Sequence, residues 1–319
     1  MKSFLQRILP APLWNILKDG RRLYTRTLRG VFEFFGFTVA LKSDYYSPLP
    51  AVSQLKQTAT RWNKPSAFKG ISYDVEAMEN TFSSLLTDYS DEFAALPPFK
   101  ELINRGFGPG FTAVDGLTLY LMIRHLKPNR YIEVGSGLST YYCSLACDQN
   151  AREGHPIQIT CIEPYPYPKL YSIPGIQINA TEVQDVEIAT FQQLQANDIL
   201  FIDSSHILKI GGDVAFLCLE VLPALNPGVV IHIHDVPFPY NIPYPPEKWI
   251  FQNDQPWPYF WNEAMVLQAF LAFNDQFEII MATPLIRYHD EAFLQKHIPF
   301  YETVEQNPNT FSSVWLRRR

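Results

Sequence analysis

The sequence has no apolar run of the ~20 residues that a bilayer-spanning helix needs, so no transmembrane segment is expected. The stretch MKSFLQRILPAPLWNILKDGRRLYTRTLRG carries basic residues but lacks a clean apolar core followed by a small-residue cleavage site, and a signal peptide is therefore not expected. Cysteine is scarce: Cys143, Cys147, Cys161 and Cys218 each sit inside an apolar segment. They read as buried free thiols of a reducing, cytoplasmic compartment. Cys143 and Cys147 share a helix face, but two thiols without further ligand-type neighbours do not make a zinc site. Excess positive charge is missing too. A formal net charge of −6 removes the basic footprint that general nucleic-acid binding needs.

What the sequence does have is core material. Of 319 residues, 47% are hydrophobic, enough for one large domain or one domain with an appendage. The region 1–105 reads as a helical and irregular extension serving as a lid or an oligomerisation region. It includes the helical pattern SAFKGISYDVEAMENTFSSLLTDYSDEFAAL, stopped by Pro97 and Pro98. Residues 1–30 are locally basic and amphipathic, which fits a solvated helix on the body or a weak membrane-surface or partner contact.

From residue 106 to 319 the pattern alternates. The helix AVDGLTLYLMIRHL precedes the strand RYIEVGSG, and the helix STYYCSLACDQ precedes IQITCIEP. A short strand in GIQINATEVQD follows, then the strand DILFIDSSH, the helix DVAFLCLEVLPAL and the strand GVVIHIHDV. After a proline-rich loop come the helix WNEAMVLQAFLAFN and the strands FEIIMAT and SSVWLRR. The near-continuous apolar strands predict a parallel sheet covered on both faces. The fold class is α/β, doubly wound and mostly parallel.

Gly135 and Gly137 lie where the first strand turns into a helix, letting the backbone turn tightly and a ligand approach it. A dinucleotide-binding turn would place a third glycine at position 140; Thr140 stands there, which counts against NAD or FAD. Glu163 ends the second strand, where an acidic side chain can accept hydrogen bonds from ribose hydroxyls.

On these residues the stretch from about 105 to 319 resembles the class I S-adenosylmethionine-dependent methyltransferases. EVGSGLST looks like their first motif, CIEPYP like their second and ILFIDSSH like their fourth-strand motif, while VQDV (183–186) falls where the family lines the adenine. The resemblance implies a seven-stranded sheet with its last strand antiparallel and S-adenosylmethionine as cofactor. It implies that Glu133, Gly135, Ser136 and Gly137 surround the methionine part, with Glu163 on the ribose and Asp185 near the adenine amino group. Ser139 departs from the pattern, since many members have a glycine there.

Asp203 and His206 end the fourth strand, and His234 and Asp235 end the fifth. Ligands of open α/β sheets bind outside such carboxyl ends. A hydroxyl acceptor is a weak nucleophile until it loses its proton, so His206 is the candidate general base, with Asp203 as a catalytic partner. Asp203, His234 and Asp235 are candidate ligands of a divalent metal. This arrangement is similar to that of catechol-type metal-dependent O-methyltransferases, but with imidazole where those have oxygen donors, which leaves Mg²⁺ or Mn²⁺ open. His232, one step deeper on the same face, reads as a buried, satisfied histidine.

The loop 237–260 is rich in proline and aromatics and reads as a wall or lid for an apolar or aromatic acceptor. Tyr240 and Trp249, with Tyr46 from the extension, are the candidate substrate contacts. The reading is an O-methyltransferase for a small hydroxylated metabolite, whether a natural product, a phenol or a sugar; a homodimer is left open. Its alternatives are a metal-free methyltransferase using His206 alone, a nicotinamide-dependent oxidoreductase, and a non-catalytic cofactor-binding protein.

Overall fold

The computed structural model describes residues 10–42, 45–252, 257–303, 306 and 311–319. The chain divides into two compact units, Met1–Thr58 and Ala59–Arg319. The larger unit takes in residues 59–105 together with 106–319. The smaller unit contains α1 (Ala11–Phe34). Gly36, at φ +80°, ends that helix, and the Phe37 N–H donates back to the Phe32 carbonyl at 2.9 Å. This left-handed glycine cap satisfies carbonyls that a helix end leaves open.

In the larger unit α2 (Val75–Ala94) starts at Asp74, whose carboxylate accepts from the Ala77 N–H at 3.0 Å. It packs on α3 (Ala113–Leu126) through Phe93 against Tyr120, with ring centroids 5.7 Å apart. Arg124 is buried at that contact and held by Glu92 at 2.8 Å and Glu153 at 2.5 Å. A buried guanidinium persists only with such partners.

The sheet comprises β1 (Arg130–Val134), β2 (Gln158–Ile162), β3 (Ile176–Asn179), β4 (Ile199–Ile202), β5 (Val230–Ile233), β6 (Phe277–Ala282) and β7 (Val314–Arg318). Its order is β3-β2-β1-β4-β5-β7-β6. β1 to β5 pair in parallel, and β7 inserts antiparallel between β5 and β6. All four residues of β4 and of β5 are buried, as strands covered on both faces require. α4 (Leu138–Arg152) follows β1 directly. α5 (Glu263–Leu271) and a further helical stretch, Thr283–His297, kinked at Asp290, flank β6. The order places the strand reversal at β1 and β4, where open α/β sheets hold their ligands.

Candidate functional site

The turn after β1 is fixed by steric constraint. Gly135 has φ +80°, and a Cβ there would lie 1.8 Å from the carbonyl oxygen of Asp203. Only glycine fits, and its fit brings the ends of β1 and β4 into contact. Glu163 braces the turn: its two carboxylate oxygens accept from the Ser136 N–H at 3.2 Å and the Tyr165 N–H at 2.8 Å. The carboxylate is only half-buried, so lone pairs remain for a ligand. The Ser136 hydroxyl is buried without a hydrogen-bond partner among the described residues, which suits a polar ligand seated there. Gly137 caps α4 and lies under the Phe107 carbonyl. Asp185 is exposed in a short turn, Val183–Asp185.

Glu133 is fully buried beneath this turn. The hydroxyls of Ser139 and Thr140, both at 2.6 Å, donate to its two oxygens, and Thr140 also accepts from the Gly137 N–H at 3.0 Å. The two positions where the sequence departs from glycine thus supply the donors that make a buried carboxyl tolerable. Burial still dominates and pushes the Glu133 carboxyl up to about 8.

The ends of β4 and β5 hold a chain of carboxylates and imidazoles. His206 Nδ1 is 2.8 Å from Glu263, and its Nε2 is 3.2 Å from Asp203 and 3.6 Å from Asp235. His234 lies 3.3 Å from Asp115 through Nε2 and 3.3 Å from Asp203 through Nδ1. Burial alone would lower both imidazoles, but the surrounding carboxylates outweigh it and hold both well above the usual histidine range. Asp203 shows the reciprocal effect: burial raises its carboxyl, and His234 and His206 pull it well below the carboxylate range. Asp235, less well paired, is pushed up by burial. His206 and Asp235 both adopt left-handed backbone, at φ 60° and 56°, a strain typical of functional turns.

Several of these residues were not singled out in the sequence. Asp115 is buried in the first turn of α3 and takes hydrogen bonds from Thr112 and Ser313 at 2.6 Å each and from the Ser312 N–H at 3.2 Å. The spacing Thr112-x-x-Asp115 is a helix-start signal that could have marked it. Glu263 opens α5, whose first N–H groups at Asn262 and Glu263 donate to the His206 carbonyl at 3.0 and 3.2 Å. Trp261 packs on the His206 ring at 4.6 Å. Asp213 braces the turn between Asp203 and His206 by accepting from Ser205.

The donor group that comes together is Asp203, His206 and Asp235, with ligand-type atoms all within 4.8 Å of one another. It shares Asp203 and Asp235 with the expected set and has His206 in place of His234, which is turned towards Asp115. His232 is buried as expected but not satisfied. Both ring nitrogens lack partners among the described residues, and the ring is held by stacking on Trp315 at 3.9 Å and by Phe201 at 4.7 Å. Burial keeps it neutral, far below the usual histidine range.

The loop after β5 divides. Trp249 joins Tyr259 and Trp261 in an aromatic cluster, with centroids 5.6 Å between Trp249 and Trp261. Tyr240 instead stacks on Tyr244 at 3.8 Å and neighbours Tyr288. Phe238 is buried against Phe68 at 4.7 Å. Tyr46 belongs to the smaller unit, where its exposed ring lies edge-on to Tyr45.

Residues 132–236, which span both strand-end clusters, match the family model described as a methyltransferase domain. An uncharacterized protein of Archaeoglobus fulgidus is 36% identical over 94 residues, 28% of this chain and 41% of that relative, so the match spans well under half of the relative's length. Among solved structures, the SAH-bound methyltransferase PaMTH1 of Podospora anserina is similar at 13% identity, covering 86% of this chain and 99% of its own, with a TM-score of 0.38. A putative O-methyltransferase from Klebsiella pneumoniae is similar at 13% identity over 73% of this chain and 95% of its own, with a TM-score of 0.43. The O-methyltransferase TomG from Streptomyces achromogenes, in complex with SAM, is similar at 14% identity over 78% and 91%, with a TM-score of 0.38. The fold assignment itself comes from the strand order and the inserted antiparallel β7: the sheet is the seven-stranded one expected of class I methyltransferases, and residues 132–236 within it match the methyltransferase-domain model.

Proposed function

We propose that the chain is an S-adenosylmethionine-dependent O-methyltransferase acting on a hydroxyl of a small acceptor. The observation that carries the reading is the contact between the Gly135 turn and Asp203. A sulfonium held by the first would face the acid–base group that begins with the second. The 135–137 backbone takes the methionine part, with Glu133 supporting it from beneath through Ser139 and Thr140. Glu163 takes the ribose, and Asp185 the adenine amino group.

Bound S-adenosylmethionine would supply a methyl carbon for attack by the acceptor oxygen, with the carbon–sulfur electron pair leaving on sulfur. The hydroxyl proton passes to His206 Nε2. Glu263 on Nδ1 fixes the ring and stabilises the imidazolium that forms. The neutral base is the reactive form, and the carboxylates around His206 favour the charged one, so the acidic limb of the rate profile should lie above the usual imidazole range. Two carboxylates and one imidazole also fit a divalent cation, and the imidazole favours Mn²⁺ over Mg²⁺. Such an ion would lower the acceptor's pKa and position its oxygen. His206 then serves as ligand or as base, not both. The Trp249, Tyr259 and Trp261 cluster beside His206 suits a flat apolar acceptor such as a phenol.

Calorimetry should show S-adenosylmethionine binding with Kd of about 1–100 μM, and a mass-spectrometric screen of hydroxylated metabolites should show a methylated product. Asp203→Asn should lower turnover by about 10²-fold or more. Binding of NAD without S-adenosylmethionine would overturn the reading. Full turnover in chelator would remove the metal and leave His206 as base.

A further inference from the structure

α1 is a helix of 24 residues, about 36 Å long, and it carries exposed apolar side chains over residues 23–34. Leu23, Tyr24, Leu28, Val31 and Phe32 recur at helical spacing, and their exposures run from 36% at Leu28 to 68% at Leu23. Arg22, Arg26 and Arg29 occupy the opposite side by the same spacing, together with Asp19 and Glu33, while Arg21 falls beside Leu28 and Phe32. Five basic residues face two acidic ones within the helix, in a chain whose net charge is −6. Asp19 and Glu33 pair with Arg22 and Arg29 in exposed contacts of 3.6 and 3.2 Å. Arg21 and Arg26 have no carboxylate within ion-pair distance among the described residues. At the C-terminal end Phe34 and Phe35 are 84% and 67% exposed and meet edge-on at 5.3 Å.

We infer that this face of α1 binds the surface of an anionic lipid bilayer. An apolar stripe backed by arginines, with aromatic rings at one end, is the composition of a helix that lies in the interface plane. Apolar side chains enter the headgroup–acyl boundary, and the arginine side remains among phosphates and water. Spanning is a different matter: no helix among the described residues is long and apolar enough to cross a membrane. Charge selects lipid over a second copy of the chain. Pairing two such helices would bring like-charged arginine flanks together, whereas an anionic leaflet offers the opposite sign along the whole length. The inference does not depend on the catalytic reading.

The test is sedimentation of the full chain with vesicles of phosphatidylcholine plus phosphatidylglycerol, against phosphatidylcholine alone. The expected result is binding to the anionic vesicles only, weakening as salt rises. Joint Arg22→Glu, Arg26→Glu and Arg29→Glu should cut partitioning about tenfold or more. Tyr24→Asp with Val31→Asp should cut it comparably, with the thermal melt of the full chain unchanged. Failure to sediment with either vesicle, or equal binding to both, would overturn the inference. So would a dimer in solution that Tyr24→Asp with Val31→Asp converts to a monomer.

Discussion

Glu133 and Asp203 stand at the carboxyl ends of neighbouring strands, and both are largely closed off from solvent, yet they ionise in opposite directions. Burial raises both. Glu133 is met only by neutral donors, the hydroxyls of Ser139 and Thr140 and the Cys161 thiol, and settles at about 8. Asp203 is met by two imidazoles and falls well below the carboxylate range. Neutral hydrogen bonds reduce the desolvation cost of a carboxylate; an opposite charge reverses it. The two strand ends therefore divide the work. One is a tight backbone turn that carries little charge, and the other concentrates charge; under the proposed function the first would hold the cofactor and the second would take the proton.

The most severe way to break this arrangement is to part the two ends. Gly135→Ala forces a Cβ onto the Asp203 carbonyl and a side chain into left-handed backbone. It should cost about 3 kcal/mol of stability and abolish cofactor binding, read by denaturant unfolding and calorimetry.

A milder change weakens only the charged end. Glu263→Gln keeps an oxygen near His206 Nδ1 but removes a negative charge, so turnover should fall about tenfold. The acidic limb of the pH–rate profile should move to lower pH, because His206 loses part of what holds its proton. Stability has the matching sign. A histidine whose folded pKa is raised stabilises fully below its unfolded value, and the benefit disappears as pH rises through the folded value. The variant should be less stable than the parent at pH 6, with the gap closing at alkaline pH.

The smallest effect tests the neutral end. A carboxyl raised from 4.5 to about 8 favours folding in its protonated form. That contribution is complete below pH 4.5 and is lost as pH rises through about 8. Glu133→Gln mimics the protonated form, so it should flatten this loss and change stability at pH 5 by less than about 1 kcal/mol. Melting curves at pH 5 and pH 8 would check it.

Much of this frame was legible in residue order. The largely apolar runs at 130–134, 158–162, 199–202 and 230–233 read as covered strands, and Gly135, Glu163, Asp203 and His206 lay at or just beyond their ends. Other parts were hidden for physical reasons. Asp115 sits in a helix whose remaining residues are almost all apolar, and its role depends on Ser312 and Ser313, nearly two hundred residues away in sequence. The helix Thr283–His297 lies between two strands that the sequence presented as consecutive, because its polar face obscures the apolar period. Ser139 and Thr140 looked like departures from a glycine pattern until the buried Glu133 gave their hydroxyls a partner.

The sequence by itself determined the strands, the glycine turn and which chemical groups reach the strand ends, since these follow from local periodicity and from the conformations glycine alone allows. Tertiary structure decided which imidazole each carboxylate meets. His206 and His234 are equivalent as residues, and one turns to Glu263 and Trp261 while the other turns to Asp115. Those partners come from helices distant in the chain, and the distances they set, not the residue types, fix where the protons sit.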